Sequence, residues 1–217
     1  GEDNTGSETR VAKAIRWCIF DFKADIISLS LGGDQDQSTS REGPAVSATR
    51  QAIDLGIFVV AAAGNDGGSS DDGYVSAPGN VNLAITVGAS SRDGSVWEQS
   101  SMGEPTDSEG NTRIVPHQKP ELTAPGVEIV STGTDNLWYT SSGTSDATVF
   151  VAGALALILE AHPELKPLAT STTACIELVK QALVDSMGPN PDHDSTKGYG
   201  ELRAKSWLSQ VSADTNC

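Results

Sequence analysis

The residues with the most chemical promise lie in "SSGTSDATVFVAGALALIL", Ser141 to Leu159, where a small polar turn opens directly into an apolar run. Ser145 stands at the mouth of that run, with Asp146 directly after it. The run reads as a buried helix from about Ser145 to His162. A serine at its start sits beside backbone N–H groups that have no intrahelical acceptor, at the positive end of the helix dipole. Those donors can stabilise the oxyanion that forms when a hydroxyl attacks a carbonyl carbon. The same placement also suits a plain N-cap, with Thr144 or Ser145 satisfying the first turn. On this motif alone capping is the stronger reading, because short motif matches often arise by chance. Two further small-residue motifs bear on it, "SLGG" (30–33) and "AAGN" (62–65). Glycines at strand ends let another backbone approach closely, as recognition of an extended peptide requires.

The elements that must position these motifs follow from hydrophobic spacing. Val11, Ala14, Ile15, Cys18 and Ile19 form the stripe of an amphipathic helix over 8–22. "ADIISLSLGG" (24–33), "IFVVAAAGN" (57–65) and "LAITVGA" (83–89) read as buried strands. "GPAVSATRQAIDLG" (43–56) is a helix with Pro44 near its start and Gly56 as its C-cap. Segment 90–124 reads as polar and irregular. Short strands over 127–133 and 137–143 lead into the long helix, and helices over 174–187 and "ELRAKSWL" close the chain. Strands apolar on both faces, alternating with helices, predict a parallel sheet covered on both sides. In such sheets ligands bind at the carboxyl ends of the strands, where all three motifs fall.

Length and composition bound the rest. The 217 residues suit a single domain over 1–217. The apolar stretch Val149 to Leu159 is too short to cross a bilayer, so no membrane span is expected. The opening "GEDNTGSET" is polar, without the pattern of a secretory signal, and reads as a cut end or a mid-domain loop. With 29 Asp and Glu against 14 Lys and Arg, polyanionic nucleic acid is a poor partner. The acidic balance fits either a solvated surface or adaptation to high salt. Cys18, Cys175 and Cys217 match no metal spacing, and an odd count leaves at least one unpaired within the chain. Cys18 and Cys175 lie in apolar helical contexts and read as packed thiols. His117, His162 and His193 also lack ligand spacing, so no catalytic metal is expected. The acid-rich loop "NDGGSSDDG" (65–73) could hold a structural calcium ion, although solvated loop acids are the simpler reading.

Taken together, "ADIISLSLGG", "GIFVVAAAGN", "KPELTAPGVEIVST", "SSGTSDATVFVAGALALILEAHPEL" and "KGYGELRA" resemble, in this order and spacing, the subtilisin-like serine proteases (peptidase family S8). The resemblance covers almost the whole chain. It implies a three-layer α/β/α fold with a mainly parallel sheet, and serine endopeptidase activity on polypeptide substrates without a catalytic cofactor. It makes Ser145 the nucleophile and Asn65 the side-chain oxyanion donor. Ser30, Leu31, Gly32 and Gly33 would line one side of the primary substrate pocket and pair with substrate backbone. Ala62 and Gly64 would form another wall. The family is mostly secreted, which favours that compartment while the unpaired cysteine leaves it open.

The family orders its triad Asp, His, Ser along the chain, yet neither the aspartate motif nor the His-Gly-Thr motif is present. Both would precede residue 1, together with the N-terminal strands of the sheet. The expected partner is therefore an N-terminal fragment carrying the catalytic Asp and His, covalently attached or separate. The competing expectation is a noncatalytic relative that grips extended peptides as a binding or assembly module. A lipase-type hydrolase is disfavoured, because no Gly-x-Ser-x-Gly elbow is present. The family motif after the serine reads Met-Ala-x-Pro-His, whereas Asp146, Val149 and Phe150 here replace Met, Pro and His. Asp146, if it faces the site, is expected to slow acylation or narrow substrate choice. If it turns away, it only complements the helix dipole.

Overall fold

Long β-branched runs bounded by glycine-rich turns build the centre of the molecule. The computed structural model describes residues 4–33, 43–67, 73–107, 110–167, 173–189, 191–211 and 217. Four strands, β1 (Ile26–Leu29), β2 (Phe58–Ala62), β3 (Ile85–Ser90) and β4 (Leu122–Pro125), form one parallel sheet in that order. The register pairs Ile27 with Val59, Val60 with Ile85, and Val87 with Leu122. Every residue of β2 and β3 is buried, so both faces of the sheet centre are covered. This is the α/β parallel-sheet architecture expected from the sequence. The strand β4 is a correction, because three of its four residues, Leu122 to Ala124, fall inside the stretch read as irregular.

Helices α1 (Asn4–Trp17) and α2 (Pro44–Asp54) pack on each other, and α2 also lies on β2. Helix α1 begins four residues earlier than its apolar stripe suggests, and its last turn widens into a π-helix over Cys18–Phe22. Helix α2 starts on Pro44 and ends in a Schellman turn. There the N–H of Gly56 (φ +78°) donates to Ile53 O, and that of Ile57 to Ala52 O. Leu55 is thus the cap residue, and Gly56 is the left-handed residue after it.

Helix α3 (Thr144–Ala161) packs on all four strands. Its buried residues, Ala147, Thr148, Val151, Ala154, Leu155, Ile158 and Leu159, recur at the spacing of one helical face. At 18 residues and a mean hydropathy of 1.5, α3 is long and apolar enough to cross a membrane by length and composition. The face on the sheet marks α3 as a core helix. Its other face, with Val149, Phe150 and Leu157, is exposed. The hairpin β5 (Ile129–Thr132) and β6 (Trp138–Ser141) delivers the chain to α3. Helices α4 (Thr173–Asp185) and α5 (Ala204–Gln210) complete the fold, and buried Trp207 of α5 donates to Val179 O of α4 at 2.9 Å. Cys175 is joined to Cys217 in a disulfide, which corrects its reading as a packed thiol; Cys18 remains free.

At the amino ends of β3 and β4, three buried charges form a cluster. Oε1 of Glu121 accepts from Lys119 Nζ at 2.8 Å and from Lys180 Nζ at 2.6 Å. Its Oε2 accepts the Thr86 N–H at 2.7 Å. Both ammonium groups also donate to Ala84 O, and Lys180 to Asn82 O. Burial opposes charge on the lysines and lowers both. Burial alone would raise Glu121, but the two ammonium groups outweigh it and hold the carboxylate below its ordinary range. The cluster fastens α4 to the sheet at the edge opposite the serine.

Candidate active site

Gly143 and Gly126 bring the turn before α3 against the end of the sheet. The Gly143 N–H donates to Gly126 O at 2.7 Å. A Cβ on Gly126 would lie 2.7 Å from Ala89 Cβ and 2.8 Å from Gly143 O, so only glycine permits this approach. The N-cap of α3 is Gly143, without a side-chain capping bond. The hydroxyls of Thr144 and Ser145 are directed elsewhere, which removes the capping explanation for both.

Buried Thr144 locks the site. Its N–H donates to Asn65 Oδ1 at 3.0 Å, and its hydroxyl lies 2.9 Å from the same oxygen and 3.2 Å from Gly64 O and Gly64 N. Because a backbone N–H can only donate, the oxygen of the Asn65 amide must face Thr144. Its Nδ2 then points away from Thr144, and a Cβ placed on Gly143 would be 3.5 Å from it. Ser145 follows as the second residue of α3, so its N–H is a first-turn donor without an intrahelical acceptor. Among the described residues its hydroxyl makes one long contact, 3.5 Å from Ser30 O, while Ser30 Oγ donates to Ser145 O at 3.1 Å. Ser145, Asn65, Gly64 and Ser30 are thus brought together from three strand ends.

Gly64 has φ +117°, and a Cβ there would stand 2.6 Å from the hydroxyl oxygens of both Ser76 and Ser101. Gly32 is equally constrained, with Ser76 Cβ at 2.5 Å from such an atom. Ala62 lies buried at the end of β2. Leu31 and Gly32 are exposed at the strand end. Gly33 departs from its expected part: its N–H and C=O both bond to Ala77 at 3.2 Å, so its backbone is already paired. Residues 30–32 are exposed at the carboxyl end of β1. The sequence reading missed Thr144 as the tie between Asn65 and α3, and Ser76 and Ser101 as the supports of Gly64. Thr144 had a signal, its place between Gly143 and Ser145; the two serines had none.

None of the three histidines is a hydrogen-bond partner of Ser145. His162 Nδ1 lies 3.1 Å from Glu164 Oε1, and His193 Nε2 lies 3.0 Å from Pro120 O. His117 Nδ1 lies 3.4 Å from Lys180 Nζ; burial, then Lys180 and Lys119, push it down to about 4. Asp146 turns its Oδ1 to the Ser141 hydroxyl at 2.6 Å. Among the described residues, no three His, Cys, Asp or Glu side chains converge as metal ligands. The calcium expectation concerned 65–73, of which 68–72 lie outside the described residues.

The fold and site define an α/β protein that presents a serine at the N-terminus of its central helix, beside the carboxyl ends of a parallel sheet. The chain belongs to the subtilase family (Peptidase_S8), whose model matches residues 1–200. It is 35% identical over 194 residues to the serine protease AprX of Bacillus subtilis (strain 168), covering 76% of this chain and 42% of that protein. It is 36% identical over 194 residues to an intracellular serine protease of Paenibacillus polymyxa, covering 87% of this chain and 52% of the relative. Among solved structures it resembles the prenylagaramide maturation protease PagA, with a TM-score of 0.72 and 25% identity over 94% of this chain and 68% of the other. The patellamide maturation protease PatA shares the fold, at a TM-score of 0.69 and 22% identity over the same shares. The chain spans about half the length, or less, of these curated relatives.

Proposed function

We propose that the chain is the serine-bearing part of a subtilisin-like serine endopeptidase. Ser145 Oγ attacks the scissile carbonyl carbon, and its proton passes to a histidine that an aspartate orients, both supplied by chain outside these 217 residues. The oxyanion so formed is held by Asn65 Nδ2 and the Ser145 N–H. Collapse of the tetrahedral intermediate expels the amine, which takes the proton from the histidine, and leaves an acyl group on Ser145. Water then reverses the sequence and frees the acid. Residues 30–32, Ala62 and Gly64 line the side that receives the acyl portion of the substrate.

The observation that carries this reading is the tie of Asn65 to Thr144. It turns the amide oxygen to Thr144 and leaves Nδ2 free of that contact, which supports Asn65 as the oxyanion donor. A companion segment is supported by the surfaces that this chain leaves open. Strand β1 is an edge strand, and the exposed residues of α3, Val149, Phe150 and Leu157, form a stripe continuous with Ser145. An N-terminal segment that adds a strand to β1 and lays a helix on that stripe would cover both and bring its histidine to the serine. The Cys175–Cys217 disulfide fits an oxidising compartment, as expected of a secreted member.

The second reading, a noncatalytic peptide-binding module, is favoured by one observation, the absence of any histidine at Ser145 among the described residues. Purification of the full-length protein tests both. Copurification of a segment bearing the histidine motif, with hydrolysis of a peptide ester that Ser145→Ala abolishes, supports the protease. Binding of extended peptides without hydrolysis supports the module.

A further inference from the structure

We propose that the end of α1 and its π-helical turn form a patch that docks on an anionic lipid surface. The patch is independent of the chemistry at Ser145: it precedes β1, whose far end leads to Ser30 and its bond to Ser145. Trp17, Phe20 and Phe22 are 55%, 56% and 67% exposed, three large rings turned to solvent within six residues. The π-turn over Cys18–Phe22 assembles them. Its hydrogen bonds join residues five apart, so Phe22 comes back over Trp17 and the two rings stack at 5.6 Å. In an ordinary α-helix, residues five apart point about 140° away from each other. The turn closes on Lys23, a left-handed residue (φ +57°) whose N–H donates to Cys18 O.

Cations surround these rings. Lys13, Arg16, Trp17 and Phe20 follow at i, i+3, i+4 and i+7, the spacing of one helical face, and all four are exposed. Arg10 and Lys23 lie exposed towards either end. Residues 10–23 thus hold four of the chain's 14 Lys and Arg but only one of its 29 Asp and Glu, the exposed Asp21. Arg16 donates to Gln51 Oε1 at 3.3 Å, a neutral partner that leaves its charge uncancelled. In a chain of net charge −15 this is a local reversal of sign. Exposed Trp and Phe beside Lys and Arg suit a membrane interface, where rings enter the headgroup region and cations meet lipid phosphates. The area favours lipid over a protein partner. Three aromatic side chains at these exposures offer roughly 270–450 Å², against roughly 800 Å² per partner in a standard protein interface. The proposed histidine-bearing segment acts at the carboxyl ends of the strands, whereas the patch stands before the amino end of β1.

The test uses the full-length protein and vesicles of phosphatidylcholine, alone or mixed with an equal amount of phosphatidylglycerol. Sedimentation should show binding to the mixed vesicles and little to phosphatidylcholine alone. Tryptophan emission should shift to the blue on binding, and Trp17→Phe, which keeps an aromatic ring, should remove that shift while binding persists. Lys13→Gln with Lys23→Asn should weaken binding about thirtyfold at low salt, a difference that shrinks as salt screens the charges. Asparagine is chosen because it tolerates the left-handed backbone of Lys23. Trp17→Ser with Phe20→Ser should weaken binding at least about tenfold at any salt. These side chains are exposed, so each variant should melt near the wild-type temperature. Equal binding to both vesicle types, no binding to either, or variants that bind as the wild type does overturn the proposal. So does a Trp17 already shielded from acrylamide in the full-length protein, since another part of the chain would then cover the patch. Self-association without vesicle binding, abolished by Trp17→Ser with Phe20→Ser, would overturn it in favour of a second copy as the occupant.

Discussion

Replacing Glu121 with glutamine should reveal how much of the fold depends on one buried carboxylate. Glu121 and Lys180 are 0% exposed and Lys119 is 1% exposed. The substitution keeps the shape but leaves two ammonium groups facing one another without a counter-charge. It also weakens three charge-assisted hydrogen bonds, from Lys119, Lys180 and the Thr86 N–H. Removing one partner of a buried ion pair typically costs about 3–5 kcal/mol. That is a large part of the roughly 5–15 kcal/mol that holds a domain folded. For a chain of this size each kcal/mol moves the melting temperature by about 2–4 °C, so the expected fall is about 6–20 °C.

The loss also depends on pH. Because burial lowers both lysines, the folded state binds fewer protons than the unfolded state at alkaline pH, and stability rises with pH through that window. Glu121 counters that lowering, so its loss pushes both lysines further down in the variant; the deficit of Glu121→Gln should therefore be greatest near neutrality and narrow towards pH 10. Urea unfolding followed by circular dichroism at several pH values measures both quantities. Adding Lys119→Met and Lys180→Met to the same variant should restore most of the stability, since apolar replacement of a whole buried cluster is often neutral. A deficit below about 1 kcal/mol, or one unchanged between pH 7 and pH 10, would refute the reasoning.

Asn65→Ala should lower kcat about a hundred- to thousandfold with little change in KM, as measured by steady-state cleavage of a peptide ester. That magnitude is known for the corresponding donor of subtilisin itself, a relative of this chain. Stability should decline as pH falls from about 6.5 through about 4, because His117, held at about 4 by burial and then by Lys180 and Lys119, must take up a proton. Acid titration of ellipticity should show that loss, and His117→Asn should flatten it. Cys175→Ser should cost about 4 kcal/mol in urea unfolding by the chain-entropy account, because the disulfide spans 42 residues. Reductant should reproduce the loss in the wild type and add nothing to the variant.

What was legible in the sequence depended on how locally each feature is encoded. Runs such as "IFVVAA" and the stripe of α3 announce buried elements, because burial on both faces or on one helical face is written in adjacent residues. Strand β4 escaped because "LTAP" is short, follows a polar stretch and ends in proline. Proline is tolerated where β4 ends, at the sheet edge, because no ladder N–H is needed there. The three motifs at 30–33, 62–65 and 141–145 were visible as strand-end turns, but not the bonds that join them. Thr144 meets Asn65 across 79 residues, and Gly33 spends its backbone on Ala77, neither of which any local pattern reveals. Lys119 and Lys180 look like surface residues until Glu121 is found between them. The Cys175–Cys217 pair is one of three pairings that three cysteines allow.

The central claim, that Ser145 is an activated nucleophile, is tested most directly by treating the full-length protein with a fluorophosphonate and mapping the adduct by peptide mass. The account predicts one stoichiometric adduct on Ser145, lost in Ser145→Ala and slowed in Asn65→Ala. No adduct on the folded protein, or one that persists in Ser145→Ala, would contradict it.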